Sequence, residues 1–241
     1  MTTKDDSPKV RFVLDAPPAK LQEATLADFL KSGLEQMSLS LSAQAEQKIL
    51  SYIELMIKWN RAYNLTSVRE PTEIMIRHIF DSLSIGHHLQ GEQILDVGTG
   101  AGLPGIPLAL AYPDKYFTLI DSNGKKTRFL FNVLHTLHIP NIYVVNERVE
   151  GYQKFNELKE GMRLRRFDTI VSRAFSSLRE MLYNTEHLCQ EKGVFLAMKG
   201  VYPLTELHEI PQGFKVKETL PLKVPYMDAE RHLVKIVFDD A

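Results

Sequence analysis

Hydrophobic and polar positions follow two different periods along the chain. Between Thr25 and about Leu89, apolar residues recur at spacings of three and four, the period of an amphipathic helix. One such face carries Ile49, Ile53, Met56, Ile57 and Asn60. Ser42 stands where a helix N-cap is expected, and Pro71 suits the first turn of a helix that runs towards His87. The pattern predicts an all-helical region over residues 24–90.

From Gly91 onward, short apolar runs alternate with helical spacing. The predicted strands are Gln93–Val97, Tyr116–Ile120, Ile142–Val145, Phe167–Val171, Val194–Met198, Phe214–Leu220 and His232–Phe238. The predicted helices are one ending at Ala111, then Lys125–His138, Ser176–Gln190 and Pro203–Ile210. This alternation predicts an α/β fold over residues 91–241, a mostly parallel sheet with helices on both faces. Since only about a dozen residues separate the last two runs, those strands should pair antiparallel.

Composition narrows the class of protein. Of 241 residues, 44% are hydrophobic and 24% are charged, with 29 basic and 30 acidic side chains and a net charge of −1. These values fit a globular chain and exclude one held on nucleic acid by bulk charge. A single cysteine, Cys189, excludes an intrachain disulfide. Residues 1–23 are poorly patterned and predict a mobile leader. The charges among residues 1–10 predict no export signal, and since no apolar run approaches 18 residues, no membrane span is expected. With its lone cysteine, the protein is expected in the cytoplasm.

A glycine-rich stretch directly follows the first predicted strand. It runs from Asp96 to Pro107 and reads Asp-Val-Gly-Thr-Gly-Ala-Gly-Leu-Pro-Gly-Ile-Pro. Read from Gly100, it matches the dinucleotide fingerprint GxGxxG, and Asp121 follows where a ribose-binding acid is expected. A nicotinamide-dependent oxidoreductase is therefore one interpretation of this loop.

The charge of Asp96 favours a different ligand. A pyrophosphate would meet a carboxylate of the same sign at the mouth of this loop. S-adenosylmethionine carries a sulfonium and an ammonium, which an acid at the strand end attracts, and Asp121 can still accept from ribose hydroxyls. The loop therefore favours a methyl donor. A protein that binds the donor without turnover is a third interpretation.

Several longer stretches resemble one family along nearly the whole chain. They are Trp59-Asn60, Tyr63 to Ser67, Arg77 to Leu83, Asp96 to Pro107, Leu119 to Ser122, Lys125-Lys126, Arg148 to Glu150, Phe167-Asp168, Val171 to Ala174, Met198 to Gly200 and Glu230 to Val234. With these segments the chain resembles the bacterial glucose-inhibited division protein B family, the 16S ribosomal RNA guanine-N7 methyltransferases. The Asn-Leu-Thr, His-Ile-Phe-Asp-Ser-Leu and Ser-Arg-Ala segments are the most specific to it.

The resemblance implies a fold, a cofactor and a substrate. The fold is the Rossmann-like class I S-adenosylmethionine-dependent methyltransferase fold, with a seven-stranded, mostly parallel sheet whose last strand is antiparallel. The implied substrate is a guanine in a decoding-region loop of 16S ribosomal RNA, free or in the small (30S) subunit. The donor-binding residues implied are Asp96, Gly98, Gly100, Leu103, Asp121, Val149, Glu150 and Arg173. Glu150 has an alternative interpretation as a solvated helix start.

Guanine N7 needs no catalytic base. Its lone pair lies in the ring plane and carries no proton, so the enzyme has to position the reactants rather than move a proton.

The residues predicted to contact RNA are Arg173, Lys199 and Arg231, then Asn64, His78 and Asp81, then Lys125, Arg163, Arg165 and Arg166. For Asn64, His78 and Asp81, packing and helix capping are the alternative, and for the basic run it is a solvated face. The histidines lack the neighbours of a metal site, so no metal is expected.

Overall fold

The helical N-terminal region is present as the sequence predicts. The computed structural model describes residues 25–152, 166–173, 175 and 177–239, and the predicted leader lies outside them. The first helices are α1 (Leu26–Gln36), α2 (Ala43–Tyr63), α3 (Pro71–Ile74) and α4 (Asp81–Leu83), with a π-helical segment at Met75–Phe80 joining the last two. Ser42 accepts a hydrogen bond from the Ala45 amide, and Pro71 opens α3. Within the described part of the chain, no helix is long and apolar enough to cross a membrane.

Strands and helices then alternate. They are β1 (Gln93–Val97), α5 (Gly105–Ala111), β2 (Tyr116–Ile120), α6 (Gly124–Leu137), β3 (Ile142–Val145), β4 (Phe167–Ser172), α7 (Leu178–Thr185), β5 (Cys189–Lys199), α8 (Leu204–His208), β6 (Phe214–Pro221) and β7 (His232–Phe238). Each predicted strand is confirmed, although β5 begins at Cys189 instead of Val194.

The helix predicted over Ser176–Gln190 was too long. The helix α7 ends at Thr185, a 3-10 turn covers Glu186–Leu188, and Cys189 already pairs with Phe167 of β4. Cys189 and Leu188 are buried in the core, so strand pairing satisfies the backbone there in place of helical hydrogen bonds. Apolar spacing alone cannot distinguish these two solutions.

The described residues form one sheet of seven strands in the order β3-β2-β1-β4-β5-β7-β6. Strands β1 to β5 run parallel, and β7 is antiparallel to both β5 and β6. This is the Rossmann-like class I methyltransferase architecture expected from the sequence, including the antiparallel last pair. The insertion of β7 between β5 and β6 was not predicted. It places His232 opposite Lys199, and therefore sets Arg231 beside the end of β5.

Two apolar cores cover the two faces of the sheet. Ile94 of β1 faces the core that also holds Tyr52, Met56 and Phe80 of the helical region. Leu95, the next residue of β1, faces the second core, with α7. Alternate residues of a strand point to opposite faces, so one strand contributes to both cores. The N-terminal helices thus share a core with the sheet, while the domain boundary at residue 90 stays a prediction.

Candidate functional site

The glycine loop after β1 opens towards solvent at one position and packs tightly at another. Gly98 has φ +66° and is exposed, and a Cβ built on it would meet no atom within 4 Å. Gly102 has φ +94°, and its Cβ would lie 2.4 Å from Cδ1 of Ile106. Gly98 therefore leaves its backbone accessible to a ligand, whereas Gly102 allows the loop to pack on α5.

Asp96 supports this loop from inside. Its Oδ2 accepts hydrogen bonds from Thr99 Oγ1 at 2.6 Å and from the Gly105 amide at 2.8 Å. Its side chain is fully buried, and Oδ1 has no partner among the described residues. Burial raises the pKa of Asp96 to about 6, against the two hydrogen bonds. The expectation that this carboxylate lies at the mouth of the loop was wrong, because it is buried and accepts hydrogen bonds from Thr99 and Gly105 of the loop itself.

Asp121 lies across from the loop, at the end of β2. Its Oδ2 accepts from the Gly100 amide at 2.9 Å, and its Oδ1 accepts from the Asn123 amide at 2.8 Å. The Lys126 ammonium lies 3.8 Å from Oδ2. A carboxylate oxygen can accept more than one hydrogen bond, so Asp121 keeps acceptor capacity. The fold therefore brings together the loop and the second acid that the sequence associated.

The other predicted donor-binding residues border the same region of the fold. Leu103 is buried within the glycine loop. After β3, Val149 is buried and Glu150 is exposed in a turn, closed by a hydrogen bond from the Gly151 amide to the Arg148 carbonyl. Contact between these residues and a methyl donor stays a prediction.

Tyr52 of α2 ties the helical region to the glycine loop. Its side chain is fully buried, and its hydroxyl donates to the Ala101 carbonyl at 2.6 Å. Burial raises the pKa of this phenol above its ordinary value, so it stays a donor at neutral pH. Sequence analysis missed this contact, because no local pattern shows which backbone group a tyrosine hydroxyl reaches.

A cavity of about 260 Å³ lies beside the ends of β4 and β5. Its lining is Val68, Arg77, His78, Asp81, Arg173, Met198, Lys199, Gly200 and Arg231. Five of the predicted RNA-contacting residues are in this set, namely Arg173, Lys199, Arg231, His78 and Asp81. They come from the helical region and from three strand ends, and only the fold brings them together.

Asp81 binds two of the cavity arginines at once. Its Oδ1 accepts from Nε of Arg231 at 3.0 Å, and its Oδ2 accepts from an Nη of Arg173 at 3.3 Å. The Asp81 side chain is 4% exposed, against 23% for Arg173 and 24% for Arg231. Burial raises the pKa of Asp81, and both guanidinium groups oppose that shift. Asp81 therefore orients two cations that remain partly accessible.

His78 is buried under the cavity and is neutral. Its Nδ1 donates to the Arg77 carbonyl at 2.9 Å, which leaves Nε2 to accept from the Thr66 hydroxyl at 2.8 Å. Burial and the nearby Arg173 charge lower its pKa to about 4. Asn60 holds the same loop through two hydrogen bonds with the Thr66 backbone. These bonds are the packing role that sequence analysis left open for His78.

Of the predicted RNA contacts that do not line the cavity, the structure describes Asn64, Lys125 and Arg166, and all three are exposed. Asn64 is exposed at the end of α2, where its φ of 50° makes it a left-handed C-cap. Lys199, in the lining of the cavity, pairs with Glu206 at 2.8 Å. Lys125 and Arg166 are exposed, while Arg163 and Arg165 lie outside the described residues. RNA contact by these residues stays a prediction. Among the side chains described, no cluster of His, Cys, Asp and Glu could hold a metal ion.

Comparison with known proteins identifies the family. The GidB family model, described as rRNA small subunit methyltransferase G, matches residues 45–234. A protein of Alteromonas mediterranea named ribosomal RNA small subunit methyltransferase G is 47% identical over 209 residues, covering 87% of this chain and 95% of the relative. The protein of that name from Shewanella baltica is 47% identical over 208 residues, covering 86% of this chain and 97% of the relative.

Among solved structures, the chain is similar to M. jannaschii TYW2 in complex with AdoMet, with 14% identity and a TM-score of 0.49 over 67% of this chain and 76% of that one. The family match does not support the nicotinamide-dependent interpretation of the glycine loop. By the extent of the family match and the identity to its relatives, the chain belongs to the GidB family of small-subunit ribosomal RNA methyltransferases.

Proposed function

We propose that the chain transfers a methyl group from S-adenosylmethionine to N7 of a guanine in 16S ribosomal RNA, in the cytoplasm. The observation that carries this proposal is a shared edge of the sheet. The open Gly98 follows β1, Asp121 follows β2, and Arg173 and Lys199 lie at the ends of β4 and β5. Ligands of open α/β sheets bind at the carboxyl ends of the parallel strands. A donor position and a cation-lined cavity therefore adjoin.

The residues of the loop suit the methyl donor. Gly98 offers open backbone, and Asp121 has acceptor capacity for ribose hydroxyls. We assign Gly100, Leu103, Val149 and Glu150 to the same donor site, as the family resemblance implies. Asp96 serves the donor indirectly, by fixing Thr99 and Gly105 of the loop.

The cavity suits a reaction that needs positioning and no base. When bound, S-adenosylmethionine would supply an electrophilic methyl group to N7 of guanine, whose lone pair carries no proton, and would leave as S-adenosylhomocysteine. His78 is neutral and engaged by Thr66 and Arg77, so its ring holds the cavity wall rather than accepting a proton from substrate. The protein then has to hold guanine N7 roughly 3–3.5 Å from the methyl carbon, with N7, that carbon and the sulfur nearly in line.

The cavity arginines suit an RNA substrate. Guanidinium groups bind phosphates and the O6 edge of guanine, and Arg173 and Arg231 are held in place by Asp81. The Asp81 carboxylate also offsets part of their charge, which lowers the cost of forming a cationic methylated ring beside them. Asn64, Lys125 and Arg166 do not line the cavity and remain predicted contacts to RNA, as do Arg163 and Arg165, which lie outside the described residues.

A matched pair of glycine variants tests donor binding. Gly98 and Gly213 both have positive φ, +66° and +90°, and for both a Cβ would meet no atom within 4 Å. Gly213 precedes β6 at the far edge of the sheet. Gly98→Ala and Gly213→Ala should therefore carry similar backbone strain, of roughly 1–2 kcal/mol. In calorimetry, we expect Gly98→Ala to weaken S-adenosylmethionine binding at least ~10-fold, about 1.4 kcal/mol, and Gly213→Ala to leave it unchanged.

Activity is tested with labelled donor and small subunits whose RNA lacks the modification. We expect label on a single guanine of 16S ribosomal RNA, with the chemistry of an N7-methyl group. Label on protein alone, or calorimetric binding of NAD in place of S-adenosylmethionine, contradicts the proposal.

A further inference from the structure

The loop that follows β5 exposes apolar side chains next to Gly200, which lines the cavity. Gly200 lines the cavity, and the next residues include Val201, Tyr202 and Leu204, which are 76%, 47% and 59% exposed. Single exposed apolar residues are ordinary, but a group beside a binding cavity indicates a contact surface.

Tyr202 is held in a defined orientation. Its ring meets that of His232 at 87°, with centroids 5.4 Å apart. His232 Nδ1 lies 2.9 Å from the Gly200 carbonyl, and since a carbonyl only accepts, Nδ1 is the donor. His232 thus fixes both the loop backbone and the Tyr202 ring, next to Arg231 of the cavity. The buried Pro203 anchors the loop on its other side.

The size of the cavity restricts what it can hold. Its volume of about 260 Å³ falls below the roughly 300–1,000 Å³ of pockets for drug-sized ligands, so it suits a single base. Nucleotides on either side of a guanine bound there must lie on the rim. RNA-binding proteins commonly stack splayed bases on exposed aromatic rings, whatever the base.

From this arrangement we propose that Tyr202 is a stacking platform for an unpaired base adjoining the target guanine. The proposal rests on the proposed function, because it takes the substrate to be single-stranded ribosomal RNA. Arg231 and Arg173 hold the nucleotide inside the cavity, and Tyr202 holds its neighbour outside. Stacking at this position fixes the path of the strand into the cavity without reading its sequence.

The test compares side chains of different shape at position 202. Methyl transfer to unmodified small subunits is measured for Tyr202→Ala, Tyr202→Leu, Tyr202→Phe and Tyr202→Trp. The control is Tyr143→Ala, because Tyr143 is 66% exposed on β3, at the opposite edge of the sheet. We expect the alanine and leucine variants to raise KM for the subunit about 10-fold, within the range for one stacked base. The phenylalanine and tryptophan variants and the control should stay within about 2-fold of the unmodified chain.

Two further readouts separate stacking from other effects. Donor affinity in calorimetry should be unchanged in every variant, and the dependence of KM on salt should keep its slope, because the ring carries no charge. Full activity of Tyr202→Leu overturns the proposal in favour of an apolar contact with a ribosomal protein, and full activity of Tyr202→Ala overturns it altogether. If the unmodified chain transfers no methyl group to 16S ribosomal RNA, the proposed function itself is contradicted. The role of Tyr202 as a stacking platform is then contradicted as well, because it depends on that function.

Discussion

The glycine loop and the cation-lined cavity both lie at the carboxyl ends of the parallel strands, but different kinds of contact build them. Three of the side-chain hydrogen bonds that shape the loop join residues 3, 9 and 21 positions apart, as between Asp96 and Thr99 or Asp121 and Gly100, and the longest, from Tyr52 to Ala101, spans 49. In the cavity, Asp81 reaches Arg173 across 92 positions and Arg231 across 150. The loop is therefore a local backbone structure, and the cavity is a long-range side-chain structure.

Because of this difference, we expect substitutions in the loop and in the cavity to affect different steps of the reaction. The loop depends on glycine backbone conformations, so its ligand is held largely by groups that side-chain substitution leaves in place. The cavity depends on charged side chains that hold one another, and a single substitution there alters several groups. Variants of the cavity should consequently impair the RNA-dependent step, while donor affinity follows the loop.

The largest effect is expected for Arg173→Ala. Loss of a guanidinium that contacts RNA should lower kcat/KM for methyl transfer roughly 10²–10³-fold, or about 3–4 kcal/mol. Arg173→Lys should also be impaired, since an ammonium lacks the fork of donors that can bind Asp81 and RNA together. Arg179→Ala is the control, because Arg179 is exposed on α7 and lies over the Tyr183 ring.

The affinity of Arg173→Ala for S-adenosylmethionine shows whether Arg173 binds the methyl donor or the RNA. We expect the dissociation constant for S-adenosylmethionine to stay within about 3-fold of the unmodified chain. A loss of donor affinity as large as the loss of turnover would assign Arg173 to the loop, as the family resemblance implies, and would remove the division between the two regions.

The next largest effect is the pH dependence of stability, which has opposite signs for His78 of the cavity and Asp96 of the glycine loop. His78 has a folded pKa of about 4, against 6.5 when unfolded, so the unfolded chain binds the extra proton and stability falls as pH drops from 6.5 to 4. Asp96 has a raised folded pKa of about 6, so its contribution to stability falls as pH rises from 3.8 to 6.

The variant His78→Gln isolates the first effect, because glutamine can still accept from Thr66 but does not titrate. Urea unfolding of both proteins from pH 7 to pH 4 should show their difference in unfolding free energy falling by about 3 kcal/mol. The Asp96 contribution cancels in that difference. A difference independent of pH would mean that His78 is not held neutral.

A smaller effect, of about 2 kcal/mol, is expected for Asp81→Asn. The amide keeps one acceptor oxygen for two guanidinium groups, so kcat/KM should fall roughly 30-fold. In the double variant with Arg231→Ala, the losses should be less than additive, because both changes release the same contact. Additive losses would show that Asp81 does not act through Arg231.

The smallest effect tests the link between the helical region and the loop. Tyr52→Phe removes only the hydroxyl that donates to Ala101, and should lower the free energy of unfolding by about 1 kcal/mol. Donor affinity should fall roughly 5-fold, because the loop loses a fixed point. Tyr143→Phe, at an exposed tyrosine, should change neither quantity. Unchanged donor binding in Tyr52→Phe would make the loop independent of the helices.

Prediction from the sequence was most accurate where the determinants are local. The strand β1, the glycine loop and Asp121 were all placed correctly, because hydrophobic period and glycine spacing act over a few residues. The boundary between α7 and β5 was wrong, since Leu188 and Cys189 are buried against distant strands. For Asp81, Arg173 and Arg231, the residue types were identified without the contacts that join them.

By itself, the sequence determined the order of helices and strands, the glycine loop with its facing acid, and the family to which the chain belongs. Only the tertiary structure decided that Asp96 is buried, that Asp81 holds two arginines, and that the Tyr202 ring packs against His232. The physical reason is range. Backbone conformation follows from neighbouring residues, whereas the partner of a charged or aromatic side chain depends on how strands such as β7 are ordered in the sheet.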